Sequence, residues 1–129
     1  MADSGAPLAG LRCLVLDDEF LIALDIQQIL ETAGAAVVVC AGSAVDALAA
    51  LRKARRFDLA VLDVMLSGAS DSLTVAAVLS QQRTPFMFLP GMRTKDVQHV
   101  ARFPNAPVVE KPYQAGLLLE AIARALASR

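Results

Sequence analysis

Apolar residues in this chain gather into short runs that alternate with stretches of helical periodicity. LRCLVLDDE is an apolar run of strand length that ends on Asp17, Asp18 and Glu19, as expected of a strand buried on both faces of a parallel sheet. EFLIALDIQQILETAG follows, with Ile22, Ile26, Ile29 and Leu30 at helical spacing and Gly34 as a stop. AAVVVCAG is rich in β-branched residues and predicts a second strand. SAVDALAALRKARR predicts a helix with Ser43 as N-cap and basic residues in its last turn. FDLAVLD is a third strand ending on Asp63, and a Ser/Gly-rich loop, SGASDS, leads to a helix near LTVAAVLSQQ. PFMFL is a fourth strand, followed by a short helix over TKDVQHVARF. APVVEKP is a fifth, and the closing YQAGLLLEAIARALASR sets Leu118, Leu119, Ile122 and Leu126 on one helical face. Five strands alternating with five helices predict a doubly wound α/β fold, with right-handed crossovers covering both faces of the sheet. The expected architecture is a flavodoxin-like five-stranded parallel sheet of strand order 2-1-3-4-5.

Composition narrows this picture without changing it. A chain of 129 residues is one domain's length. Hydrophobic residues make up 56% and charged residues 19%, which gives a compact core and excludes a mainly disordered chain. A net charge of -1 leaves no general basic footprint, so no nucleic-acid partner is expected. No apolar stretch reaches the roughly 18 residues of a membrane span, and MADSGAPLAGLR lacks the charged and apolar regions of a secretory signal. A cytoplasmic location with no membrane partner follows as the expectation. Cys13 and Cys40 each lie inside an apolar run, away from any CxxC spacing, and read as reduced, buried, structural thiols.

The chemistry gathers at the strand ends. In a doubly wound sheet, ligands bind in the crevice at the carboxyl ends of the strands. Strand one ends in Asp17-Asp18-Glu19, strand three in Asp63, strand four in Pro90-Gly91 and strand five in Glu110-Lys111-Pro112. Any one of these acids also fits a helix N-cap or a solvated loop end, and Asp18 or Glu19 fits the N-cap well. Together at one rim, the carboxylates repel unless a cation, a proton or Lys111 neutralises them. An oxygen-only donor set without His or Cys suits a hard ion such as Mg²⁺, which also leaves positions for phosphate oxygens. Asp63 in that setting is placed to attack phosphorus and become an aspartyl phosphate, with Lys111 offsetting charge on the phosphoryl oxygens.

On LVLDDE, LDVML and VVEKPY, in that order and spacing, the chain resembles the receiver domain of bacterial two-component response regulators over nearly its whole length. The resemblance implies residues 1–10 as a leader and 11–129 as the receiver domain. It implies Asp63 as phosphoacceptor, Asp17 and Asp18 as metal-site acids, the backbone carbonyl of Met65 as a further ligand to Mg²⁺, and Lys111 as the phosphoryl-contacting lysine. The implied partners are a histidine kinase or histidine phosphotransfer protein as donor and a downstream protein as target. The implied role is therefore a signalling module, not an enzyme. Receivers usually carry Thr or Ser at the end of strand four, then a small residue; here Pro90 and Gly91 stand there. FMFLPGM and PNAPVVEKP resemble a single-domain subgroup with a Phe-Ala-Thr-Gly-Tyr-like segment, its Thr replaced by Pro90. The aromatic residue that many receivers place three before the lysine is replaced by Val108. Both halves of the usual hydroxyl-to-aromatic switch are thus missing. An alternative is a pseudo-receiver that docks a partner irrespective of phosphorylation.

The remaining polar and sulfur-bearing positions have ordinary readings. His99 reads as a surface histidine, Met65 and Met92 as apolar cover for the crevice, and Tyr113 as packing beside the rim. Arg52, Lys53, Arg55 and Arg56 read as a solvated helix end that complements the macrodipole. No output domain is expected after the last helix, so output is expected through protein contact or removal of phosphate from a relay.

Overall fold

The computed structural model describes residues 6–53, 56–64, 71–89, 102–110 and 113–127. In chain order these form β1 (Arg12–Leu16), α1 (Phe20–Thr32), β2 (Val37–Ala41), α2 (Ala44–Lys53), β3 (Leu59–Asp63), α3 (Asp71–Gln81), β4 (Phe86–Leu89) and α4 (Ala115–Ala127). The strands make one parallel sheet in the order β2-β1-β3-β4. Among the described residues, no helix is long and apolar enough to cross a membrane.

Apart from Arg12 and Asp63 at their ends the strands are apolar, because helices cover both faces of the central sheet. Side chains alternate between faces with a period of two. Cys13 and Val15 of β1, Leu59 and Val61 of β3, and Met87 and Leu89 of β4 join Ile26 and Leu30 of α1 and Leu118 and Ile122 of α4 in one core. The intervening Leu14, Leu16, Ala60, Leu62, Phe86 and Phe88 face the other way, onto Ala44 and Ala47 of α2 and Val75, Ala76 and Leu79 of α3. Burying a large aliphatic side chain is worth roughly 1.5–3 kcal/mol. Ile26, Leu30, Leu118 and Ile122 are all fully buried, so the inner stripes of α1 and α4 outweigh the apolar residues those helices leave in water.

Local signals behave as their chemistry requires. The Ser43 hydroxyl accepts from the Asp46 backbone N–H at 3.1 Å and caps α2. Gly34 adopts φ +108 after α1, and a Cβ there would lie 2.9 Å from the Ala6 side chain, so glycine serves both the turn and the close approach. The approaching chain is residues 6–10 of the leader. Leu8 is buried in the α1/α4 core, and its backbone N–H donates to the Ala33 carbonyl at 2.9 Å.

Two expectations are corrected. The described residues hold four strands, not five, because the predicted fifth makes one isolated parallel bridge, Phe88 to Val108. Phe88 N–H donates to the Pro107 carbonyl at 2.9 Å, and Val109 N–H donates to the Phe88 carbonyl at 3.1 Å. The next ladder bond would need an N–H at position 107, facing the Phe86 carbonyl, and proline has none. The segment still lies beside β4 at the edge expected for it, held partly by rings: Phe103 packs 5.4 Å from Phe86 and 6.1 Å from Phe88, centroid to centroid. The second correction is Cys40, which is exposed where Cys13 is buried, because β2 is an edge strand that only β1 pairs. The helix expected over TKDVQHVARF lies outside the described residues apart from its last two positions.

Candidate functional site

Strand register brings the acids together. Leu16 of β1 pairs with Leu62 of β3, so one residue further on Asp17 and Asp63 stand side by side, at a strand spacing of about 4.8 Å. Asp63 pairs on its other side with Leu89 of β4. Asp17 and Asp63 are 2% and 1% exposed, while Asp18 is exposed. One carboxylate oxygen from each of Asp17, Asp18 and Asp63 lies within 4.8 Å of the others.

The chain entering α1 explains how Asp17 is held. Its backbone N–H donates to the Ala41 carbonyl at 3.0 Å, anchoring it to β2. Its Oδ1 accepts from the Glu19 backbone N–H at 2.9 Å, a side-chain turn that leads into the helix. Glu19 occupies the N-cap position of α1 in extended conformation and makes no side-chain cap hydrogen bond. The reading of these acids as helix caps therefore fails for Glu19, and Asp17 supports the turn while still offering a carboxylate oxygen to the cluster.

Three ionised carboxylates this close repel by roughly 3 kcal/mol per pair at an effective dielectric near 20. A cation relieves that repulsion, and a donor set of oxygens alone favours a hard one. The residues present therefore fit a divalent ion such as Mg²⁺. Of the other predicted site positions, Val108 sits at the sheet edge, 38% exposed, bridged to Phe88. Met65, Pro90, Gly91 and Lys111 lie outside the described residues, as do Met92, His99 and Pro112.

Two features of this end of the sheet were not anticipated. The Tyr113 hydroxyl donates to Asp25 Oδ2 at 2.7 Å, joining α1 to the segment before α4. Burial, then the hydrogen bond and charge of Asp25 and the charge of Asp17, push the tyrosine above its ordinary range. In the sequence Asp25 is a solvent-facing helix position 88 residues away, and periodicity carries no signal for such a pair. The second feature is an apolar strip at the start of α1, directly after the acids, where Phe20 and Leu21 are about three-quarters exposed and Leu24 is partly so.

Other polar features stand apart from the cluster. A cleft of about 420 Å³ opens at the opposite end of the sheet, between Arg83, Phe86, Phe103 and Pro104. It brings no acids together, and the carboxylate geometry is the better guide to chemistry. Burial, with the charge of Asp58, pushes the Cys13 thiol up to about 12, so it stays protonated. Burial and then Glu31 raise Cys40 as well.

Comparison with known proteins agrees with this arrangement. The response regulator receiver domain family matches residues 13–123. A response regulator receiver protein from Sinorhizobium medicae WSM419 superposes with a TM-score of 0.81 at 24% identity, covering 92% of this chain and 96% of that one; at that identity it shows the fold alone. The solution structure of SdrG from Sphingomonas melonis Fr1 aligns at 32% identity and TM-score 0.78, over 91% of this chain and 97% of that one. NtrX from Brucella abortus aligns at 29% identity and TM-score 0.79, over 92% of this chain but 27% of that longer one. No curated protein sequence matches the chain. A family match running from β1 into α4 takes in all four strands and every member of the carboxylate cluster, and the chain therefore belongs to the response regulator receiver domain family of two-component signalling.

Proposed function

We propose that this receiver domain takes a phosphoryl group from a histidine kinase or histidine phosphotransfer protein onto Asp63. The observation that carries the reading is the convergence of Asp17, Asp18 and Asp63 within 4.8 Å, with Asp63 buried at the end of a central strand. An Asp63 carboxylate oxygen attacks the phosphorus of a phosphohistidine. The new P–O bond forms as the P–N bond breaks, the imidazole leaves with a proton, and the product is an aspartyl phosphate. Asp17, Asp18 and Asp63, with the Met65 backbone carbonyl, are the residues to hold Mg²⁺. When bound, the ion supplies positive charge to the phosphoryl oxygens and offsets carboxylate repulsion. Lys111 contributes its ammonium to the same oxygens. The domain so described, residues 11–129 behind the leader 1–10, accepts the group stoichiometrically as a cytoplasmic signalling module and not as an enzyme.

Partners follow from the surface near the site. Phe20, Leu21 and Leu24 form an exposed apolar strip beside Asp17 and Asp18, suited to the donor protein, whose phosphohistidine must reach the same rim. The downstream target is a protein; nucleic acid and membrane are not partners in this reading. The alternative is a docking module independent of phosphate, favoured by Val108 and Pro90 at the switch positions. Incubation with Mg²⁺ and acetyl phosphate separates the two. Wild type is expected to form a hydroxylamine-labile acyl phosphate that Asp63→Asn does not. No adduct in the wild type, with a cognate kinase also failing, would leave the docking module.

A further inference from the structure

We infer that the cleft at the opposite end of the sheet from the carboxylates binds a small aromatic anion, a flat ring system bearing a phosphate or a carboxylate. Its volume of about 420 Å³ lies within the roughly 300–1,000 Å³ usual for small-molecule sites. The walls are the turn from α3 into β4 and the stretch 102–107 that leads to the sheet edge. Each wall contributes one guanidinium and one ring: Arg83 and Phe86 from the first, Arg102 and Phe103 from the second. The two rings meet edge to face, with 5.4 Å between centroids and 79° between planes, and the Arg102 guanidinium carbon lies 5.9 Å from the Phe103 centroid. Among the described lining residues, Arg83 and Arg102 are the ionised groups, and Arg56 lines the adjoining hollow that Arg83 also borders. Paired forks of N–H donors in a positive field suit a phosphate or carboxylate, and the apolar rings beside them suit an anion attached to a ring.

Arg83 is also where the sequence departs from local preference. It stands just past α3 at φ 60, the one non-glycine residue at positive φ among the described residues. Its N–H donates to the Ser80 carbonyl at 3.1 Å, and the Thr84 N–H donates to the Leu79 carbonyl at 2.9 Å, a helix closure at which glycine is favoured. A base serving only the macrodipole would sit in the last turn of α3, which has none. An arginine held in a left-handed turn beside a cleft is accounted for by what its side chain binds there.

The test is NMR titration of the domain with Mg²⁺ chelated, so that phosphate is not drawn to the carboxylate cluster. AMP and indole-3-acetate serve as the two kinds of ring anion, with adenosine and inorganic phosphate as the separated parts of the first. Ring anions are expected to shift the amides of Arg83, Phe86 and Phe103 saturably, at least about tenfold more tightly than adenosine or phosphate. Saturation by only one of the two ring anions would support the inference and identify its charged group. Arg83→Gln and Arg102→Gln should each weaken binding roughly tenfold, while Asp63→Asn leaves it at the wild-type level. Arg83→Gly separates binding from folding: relief of the positive φ should raise the urea midpoint while affinity falls as in Arg83→Gln. No saturable shift with either ring anion, equal affinity for inorganic phosphate, or wild-type affinity in both glutamine variants would overturn the inference. So would shifts confined to Asp17 and Asp63.

Discussion

Strand β3 and the segment 107–110 are neighbours but one (β4 lies between them), and they are held very differently. β3 is paired on both sides, to β1 and β4, and buried along its length. Among the described residues the segment 107–110 is bridged to the sheet once, and its side chains are half-buried or exposed. The first carries the carboxylate that the proposed reaction uses; the second carries Val108, where many receivers place the aromatic part of their switch. Accepting a phosphoryl group needs a fixed carboxylate, and reporting it needs an edge that can move. β3 holds the buried carboxylate that the proposed reaction calls for, and the edge carries Val108 at the second position.

Removing the ring that links these regions should have the largest effect on stability. Phe88→Ala empties a fully buried site between β3 and the edge, and a loss of about 3–5 kcal/mol is expected in denaturant unfolding. Amide exchange should show the edge at Val109 loosening before β3; simultaneous loss would mean the two regions are one cooperative unit. Asp17→Asn should act on the other side of the comparison, weakening Mg²⁺ binding roughly tenfold or more while leaving exchange at 107–110 as it was. A matching change at the edge would show the site and the edge to be coupled already in the unphosphorylated form.

Restoring half of the missing switch is a subtler test. Pro90→Thr returns a hydroxyl able to make one charge-assisted hydrogen bond to the phosphoryl group, worth about 1.5–3 kcal/mol at most. The NMR difference between free and phosphorylated forms should then grow, above all near Val108. An unchanged difference would mean that Pro90 has no part in the readout.

The smallest expected effect is alkaline. The folded-state value of Tyr113 is raised above its ordinary 10.0, so its contribution to stability is complete below pH 10 and fades as pH climbs through the folded value. Tyr113→Phe should remove that part of the alkaline loss of stability. An identical alkaline limb in the variant would place the loss elsewhere.

How much of this was legible in the sequence depends on what each residue answers to. Asp17 and Asp63 end apolar strands, and in a parallel sheet that position fixes the rim a side chain occupies, so their meeting could be read from pattern alone. The α1 and α4 core stripes were legible for the same reason, as periodicity reports a helix's inner face. The fifth strand was overestimated because apolar, β-branched composition says nothing of a ladder, and Pro107 removes a donor the ladder requires. Cys40 looked buried because an apolar run does not announce that its strand lies at an edge. Leu8 joins the core from a stretch without periodicity, where a single apolar residue carries no signal. The Tyr113–Asp25 bond depends on tertiary closure between helices at opposite ends of the chain, which no local pattern encodes. Lys111, Pro90, Gly91 and Met65 keep their sequence-based roles as proposals.

The central claim is that Asp63 is the acceptor, and its most direct test locates the phosphate. The wild-type domain, phosphorylated with acetyl phosphate and Mg²⁺, is reduced with borohydride to convert an acyl phosphate to the alcohol, then mapped by peptide mass spectrometry. The account predicts conversion at Asp63 and nowhere else, lost when Mg²⁺ is chelated. Conversion at Asp17, Asp18 or another carboxylate, or labelling indifferent to Mg²⁺, would contradict it.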